Sequence, residues 1–347
     1  MTHVTFCWEK NTLGKLPPAS LRDVLSCIRR TSEIIVPPML GFDAGVHELE
    51  DDICMVVATD PCIGVPKRWF GWLLVNYSAS DVVVFGAQPK FCTINLLGPI
   101  RTKKQIFKDV MKQACNAADE LGISIVTGHT GTYEGLSVLV ATCTAYGFVS
   151  KNKLITPSGA KPDDYILCTK PVGLETLVNF VLTHKKLAGK LFGHKQASSL
   201  SEQVKMQTCV EEALLLAKTG GVTAMHDATE GGLVTALNEM ADASQHGFLI
   251  DFTKLPITLE TKKLADHFHL TLTQTLSMSS TGTLLAAISP HEKDEIREAL
   301  FKRGFDAKIV GVFSEGEKRL MKLDGKHVRF PRKAHDPYAQ IIGVQQL

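Results

Sequence analysis

No two of the nine cysteines are spaced as Cys-x-x-Cys, so the chain offers no zinc ribbon, no redox dithiol motif and no close disulfide framework. Cys54, Cys143 and Cys168 lie inside apolar, strand-like runs, where buried reduced thiols of a cytoplasmic protein are expected. No apolar run reaches the roughly 18 residues of a membrane span. Residues 1–10 lack a charged lead followed by an apolar core, so no signal peptide is expected. Neither sign of charge dominates: Lys and Arg number 38, Asp and Glu 36, for a net charge of +2. With no long basic run either, nucleic acid is not an expected partner. The phosphate loop Gly-x-x-x-x-Gly-Lys-Ser/Thr is absent, which excludes a Walker-type site. No short-period repeat is present.

The 347 residues suffice for two ordinary domains, and 44% hydrophobic with 21% charged residues is a normal globular composition. The reading divides the chain into a lead-in (1–40), a first domain (41–155), a second domain (160–325) and a tail (326–347). Segment 151–164, with Pro157, Gly159 and Pro162, is the expected linker. Within the tail, Arg329-Phe330-Pro331-Arg332-Lys333 reads as solvated. Apolar periodicity predicts helices over 69–86, from Thr102, 174–184, 201–218, from Leu233, and 292–303. Strands are predicted over 53–58, 91–97, 123–126, 136–149, 165–169, 248–252, 282–288 and 308–313. Mixed strands and helices without strict βαβ alternation predict an α+β fold in both halves.

The most informative stretch is Asp227-Ala228-Thr229-Glu230-Gly231-Gly232-Leu233. Two acids and two glycines form a turn, and Leu233, Ala236, Leu237, Met240 and Ala241 then recur at helical spacing. A helix start presents unpaired N–H groups and a positive dipole end, and glycines let a ligand approach closely. This turn is a place for a phosphate, with carboxylates at hand for a cation; an ordinary capped helix start gives the same pattern.

Further acids sit at element ends: Asp43 in a small-residue turn, Asp60 before Pro61, and Asp81, with Asn76, within an apolar helical stretch. Magnesium is held by a few carboxylates together with substrate phosphates. Each Asp alone is equally a turn or cap residue, but a carboxylate amid Asp81-Val82-Val83-Val84-Phe85 needs a partner if buried. Thr127-Gly128-His129-Thr130-Gly131 follows a predicted strand and reads as a glycine-bearing loop able to wrap N–H groups around phosphate.

Taken in order, Gly41-Phe42-Asp43-Ala44, Thr59-Asp60, Asn76 with Asp81, Phe85-Gly86-Ala87-Gln88-Pro89, Thr127 to Thr130, His226 to Leu233, and Thr281 to Ala287 resemble the aminoimidazole ribonucleotide (AIR) synthase superfamily of ATP-binding enzymes. The resemblance covers about residues 12 to 315 and is nearest the HypE-type hydrogenase maturation proteins and their AIR synthase-related relatives. It implies a two-domain α+β fold, with the first domain contributing to a barrel at a homodimer interface and ATP in the interdomain cleft. It implies that Asp43, Asp60 and Asp81 serve Mg²⁺ and that Asn76, Gly128, His129, Thr130, Gly231 and Gly232 line the nucleotide site. Asp227, Glu230 and Asp81 take the catalytic positions. The implied chemistry is ATP-driven activation of an amide or carbonyl oxygen on a small molecule or a protein-borne group.

The chain departs from the pattern in four places, one of them His129, at a position that is often Asp or Glu in the superfamily. Phe42 stands where the usual Gly-Asp-Asp-Ala has its first Asp; Gly14-Lys15-Leu16-Pro17-Pro18 replaces a glycine-rich segment; the last cysteine is Cys209, whereas HypE-type proteins end in a carbamoyl-accepting cysteine. The alternative to an enzyme is therefore a catalytically silent ATP-binding maturation or regulatory partner, and after it a dimeric scaffold with a degenerate site. Selenophosphate synthesis lacks glycines around Cys7, and the second-domain motif differs from that of thiamine phosphate kinases.

Overall fold

The structure, a computed structural model, describes residues 15–29, 31–50 and 52–343. Two sheets organise it. The first holds β1 (Ile34–Val36), β2 (Gly45–Glu48), β3 (Ile53–Cys62), β4 (Gln88–Pro99), β5 (Ser124–Tyr133) and β6 (Val140–Ser150) in the order β1-β2-β3-β6-β4-β5. Only β4 and β5 run parallel, joined by the helix Lys104–Leu121. Strand alternation buries Cys54, Val56, Ala58, Cys92, Ile94, Leu96, Ala141, Cys143 and Ala145 on one face. Against that face lies the helix Phe70–Val83, in which every residue but Tyr77 is buried. Buried on nearly all sides, with its polar Asn76, Ser78, Ser80 and Asp81 included, this helix lies inside the core and is covered in turn by Lys104–Leu121. Gly71 permits that crossing: a Cβ there would stand 2.0 Å from the Val110 carbonyl oxygen.

The second sheet holds β7 (Tyr165–Thr169), β8 (Val222–Asp227), β9 (Gly247–Asp251), β10 (Leu284–Ile288), β11 (Ala307–Ser314), β12 (Arg319–Leu323) and β13 (Lys326–Arg329), in the order β13-β12-β9-β11-β7-β10-β8. All of β10, Leu-Leu-Ala-Ala-Ile, is buried because both faces are covered. One face packs against Val210–Thr219 and Lys293–Lys302 and is continuous with the core of the first domain. The other packs against the helix Gly232–Ser244. A third, helical cluster gathers Leu177, Phe180, Phe192 and Leu264. The fold is thus the expected two-domain mixed α/β architecture.

Several expectations are corrected. Residues 127–131 are not a loop but the middle of β5, a strand that extends to Tyr133. The predicted helix over 201–218 is two helices, His194–Glu202 and Val210–Thr219, separated by a turn. The tail is packed rather than free: Arg329, Arg332 and Lys333 are exposed as expected, but Lys326–Arg329 pairs with β12, Phe330 is buried against Phe248, and Ile341 and Ile342 enter the helical cluster. The linker is packed rather than free, with Ile155 N–H donating to the Phe85 carbonyl and Gly159 lying against the Thr223 carbonyl. Among the described residues no helix is long and apolar enough to cross a membrane.

Candidate active site

Four acids from four elements meet where the two domains face each other. Asp60 lies near the end of β3, on the face that alternation turns toward the helix Phe70–Val83. Asp81 lies in the last turn of that helix and is buried. The two side chains are close enough to couple, and two buried carboxylates side by side favour holding a proton there. Burial first, then the neighbouring acids, pushes Asp81 well above the carboxylate range. Burial likewise lifts Asp60 to about 6, with the Asp81 hydrogen bond opposing.

Asp43 occupies the turn before β2, and Asp227 ends β8. Asp227 is 1% exposed, and neither of its oxygens has a hydrogen-bond donor; Asp43 Oδ2 is also buried, with His226 as the cation beside it. Burial, and after it Asp43, raises Asp227 to about 7. Ligand atoms of Asp43, His226 and Asp227 all lie within 4.8 Å of one another.

His226 is the local counter-charge. Its Nδ1 is 2.7 Å from the Asp227 carbonyl oxygen and 3.3 Å from Asp43 Oδ2, and its Nε2 is 3.0 Å from Glu239 Oε2. Both nitrogens face acceptors, so both carry hydrogen and the ring is a cation rather than a ligand. Burial works against that charge, but Asp43 and Glu239 outweigh it and hold His226 at about 9. Gly41 makes the arrangement possible: it sits at φ +77° with the space of its missing Cβ 3.1 Å from Glu239 Cβ. A second cation comes from the lead-in. Lys15 Nζ is 3.8 Å from Asp43 Oδ1, and Lys15 N–H donates to Glu230 Oε2 at 3.0 Å. Burial resists its charge, and Asp43, Glu239, Asp81 and Asp60 together raise it above the usual lysine value.

The structure therefore brings together Asp43, Asp60, Asp81 and Asp227, with Glu230 alongside through Lys15. It does not bring in the other expected residues of the first domain. Asn76 Nδ2 donates to the Trp72 carbonyl one turn back, and its buried Oδ1 has no partner. Gly128 shares a register row with Asp60 through Cys143 and Ile94, which sets it three strands, about 14 Å, away. Thr130 pairs with Leu96 farther along the strand. His129 pairs with the exposed Asn95, on the face opposite Asp60, and its Nε2 lies 2.7 Å from Tyr133 Oη. Gly231, at φ +76°, donates its N–H to Asp336 Oδ2, and a Cβ on Gly232 would stand 2.3 Å from the Met278 carbonyl oxygen. Sequence reasoning gave no role to Lys15, His226, Glu239 or Asp336. The one available signal was a histidine directly before Asp227 in an apolar strand.

Comparison with known proteins follows this geometry. Residues 41–149 match the family described as AIR synthase related protein, N-terminal domain, and residues 161–322 match its C-terminal domain. The carbamoyl dehydratase HypE of Cupriavidus necator is 27% identical over 82% of this chain and 80% of its own. A selenide, water dikinase of Bdellovibrio bacteriovorus is 28% identical over 70% of this chain and 69% of its own. Among solved structures, the hydrogenase maturation protein HypE in complex with ATP superposes with a TM-score of 0.69 at 20% identity, covering 85% of this chain and 89% of that one. With both of its domains matched in order, the chain belongs to the AIR synthase-related family.

Proposed function

We propose that this chain is a Mg²⁺-dependent, ATP-binding enzyme that activates an amide, carbonyl or similar oxygen by phosphoryl transfer, in the manner of HypE. Its substrate is a small molecule or a group borne by another protein. One observation carries the reading: the buried carboxylates of Asp43 and Asp227, with His226 as the cation beside them and no hydrogen-bond donor on either Asp227 oxygen, converge beside the Asp60–Asp81 pair, so that acids outnumber cations there. Uncompensated buried carboxylates are costly, and a cation removes that cost. The donors are all oxygens once His226 is committed to Glu239, and an all-oxygen set suits magnesium. The ATP-bound HypE neighbour supports the nucleotide.

In this reading Asp43, Asp60 and Asp81 would hold Mg²⁺, which would supply charge neutralisation for the phosphates. The protein's own groups do the rest. Asp60 and Asp81, whose protons are held more tightly in the metal-free site, would have to ionise to serve as ligands. Lys15 carries its ammonium to the phosphate side of Asp43. Glu239 and His226 keep Asp43 in place, and Asp227 and Glu230 face the reacting groups from the second domain. Gly231 and Gly232 shape the turn, and the protein works in the cytoplasm.

A homodimer completes the proposal. The outer face of the first sheet carries Ile53, Phe91, Tyr146 and Phe148, and beside it β5 presents Gly128, His129 and Thr130 along an edge strand. We assign these to the dimer surface. Phe148→Lys is expected to convert the dimer to monomer by light scattering; a wild-type monomer would remove the assignment.

One observation favours the silent ATP-binding partner instead. Phe42, where a further carboxylate would stand, packs its ring on Phe85 at 6.4 Å, so that position serves the core. A thermal melt with MgATP, MgADP and EDTA, read beside phosphate release, separates the readings. Stabilisation with release is expected of the enzyme. Stabilisation without release assigns the silent partner, and no shift at saturating nucleotide sinks both.

A further inference from the structure

The C-terminal segment, beyond the residues matched by the family, is bound to the motif turn. Asp336 Oδ2 accepts the Gly231 N–H at 2.8 Å and the Ser279 hydroxyl at 2.7 Å, and Asp336 Oδ1 accepts the Tyr338 N–H at 2.9 Å. The His335 N–H donates to Ser277 Oγ at 3.2 Å. The segment is fixed on both sides of this contact. Before it, Phe330 is buried and the Pro331 carbonyl accepts from Asn238 Nδ2 at 2.8 Å. After it, the Tyr338 hydroxyl accepts from Asn179 Nδ2 at 2.9 Å, and Ile341 and Ile342 are buried.

The start of the helix Gly232–Ser244 is where free N–H groups and a dipole end call for an anion. That anion is already present as a side chain held by three donors on an anchored strap. Burial still pushes the Asp336 carboxyl upward against those hydrogen bonds. Gly231 also follows Glu230, whose carboxylate accepts the Lys15 N–H. The dipeptide Glu230-Gly231 is thereby gripped from one side by the lead-in and from the other by the C-terminal segment.

We propose that Asp336 is the resident anion of this helix, that it fills the seat a phosphate would otherwise take, and that it is a positioning residue for the turn bearing Asp227 and Glu230. The positioning half rests on the phosphoryl-transfer reading; the occupancy half does not. Phosphates of a nucleotide then enter through the carboxylate cluster and its cation, not through the helix start.

The test is chemical rescue of the full chain without nucleotide. Asp336→Ala is melted in chloride, acetate or inorganic phosphate at equal ionic strength and neutral pH. The variant is expected to melt about 5 °C lower in chloride and to recover at least half of that in acetate or phosphate, while wild type responds to neither. An unshifted melting temperature, equal recovery in chloride, or a wild-type response matching the variant's would overturn the occupancy. If the alanine variant fails to fold, Asp336→Asn keeps the shape without the charge. It is expected to melt lower than wild type without anion rescue, and wild-type stability would overturn the proposal. Where wild type hydrolyses MgATP, acetate should restore kcat of the alanine variant more than KM; a kcat unaffected by the substitution removes the positioning role. A wild type without any nucleotide response sinks the proposed function and leaves the rescue result standing.

Discussion

Asp81→Asn is expected to move activity and stability in opposite directions. MgATP turnover should fall about 100- to 1,000-fold. At pH 8 without metal the variant should be more stable by about 1 kcal/mol. The split follows from the site. Asp81 is buried beside Asp60 and held in its neutral form by Asp60, Asp227 and Asp43. An asparagine keeps the shape and a donor for Asp60 but removes a charge that the folded chain tolerates only with a cation present. Urea unfolding in EDTA and steady-state phosphate release measure the two effects. A variant that is less stable and fully active would mean that Asp81 is a structural acid.

The metal-free protein is expected to lose stability as pH rises from about 5 to 9, by about 7 kcal/mol. The sign follows from the raised values. Asp60, near 6, and Asp227, near 7, stand above the ordinary 3.8, and His226, near 9, above the ordinary 6.5. In each case the folded chain binds the proton more tightly than the unfolded one. The stabilisation is complete below the ordinary value and disappears as pH passes the folded one, first for the acids and then for the imidazolium. Magnesium should restore the loss at pH 8 and release protons near pH 7 in weak buffer. Melting temperatures across the pH range, with EDTA and with magnesium, check this. A flat or rising profile in EDTA would contradict the buried acid cluster.

What the sequence shows of this protein divides by range. Local patterns were readable: Trp72, Val75, Ala79 and Val83 at helical spacing mark the central helix, and the β-branched run predicted over 136–149 forms β6. The motif acids were readable through the resemblance that their order along the chain carries, since each Asp alone is as well a turn or cap residue. Residues 127–131 misled because glycines and threonines describe a loop by composition, while the parallel pairing with β4 makes the strand. Glu239 was hidden for a similar reason. On its own helix it is one acid among polar positions, and only the fold sets it against Gly41 and His226. Asp336 lies 105 residues from Gly231, and no spacing rule joins them.

The apolar core of the first domain runs without a break onto one face of the second sheet, carrying Val75 and Val82 together with Leu167, Val210 and Ala286. The two halves therefore share one interior, and the second keeps a further one of its own on the far face of its sheet. A chain cut within the packed linker would expose on each fragment a wall built for the other, and neither fragment should make a usable reagent. Calorimetry of the intact chain should show one heat-absorption peak, so that damage anywhere in that shared interior reaches the carboxylate cluster as all-or-none melting.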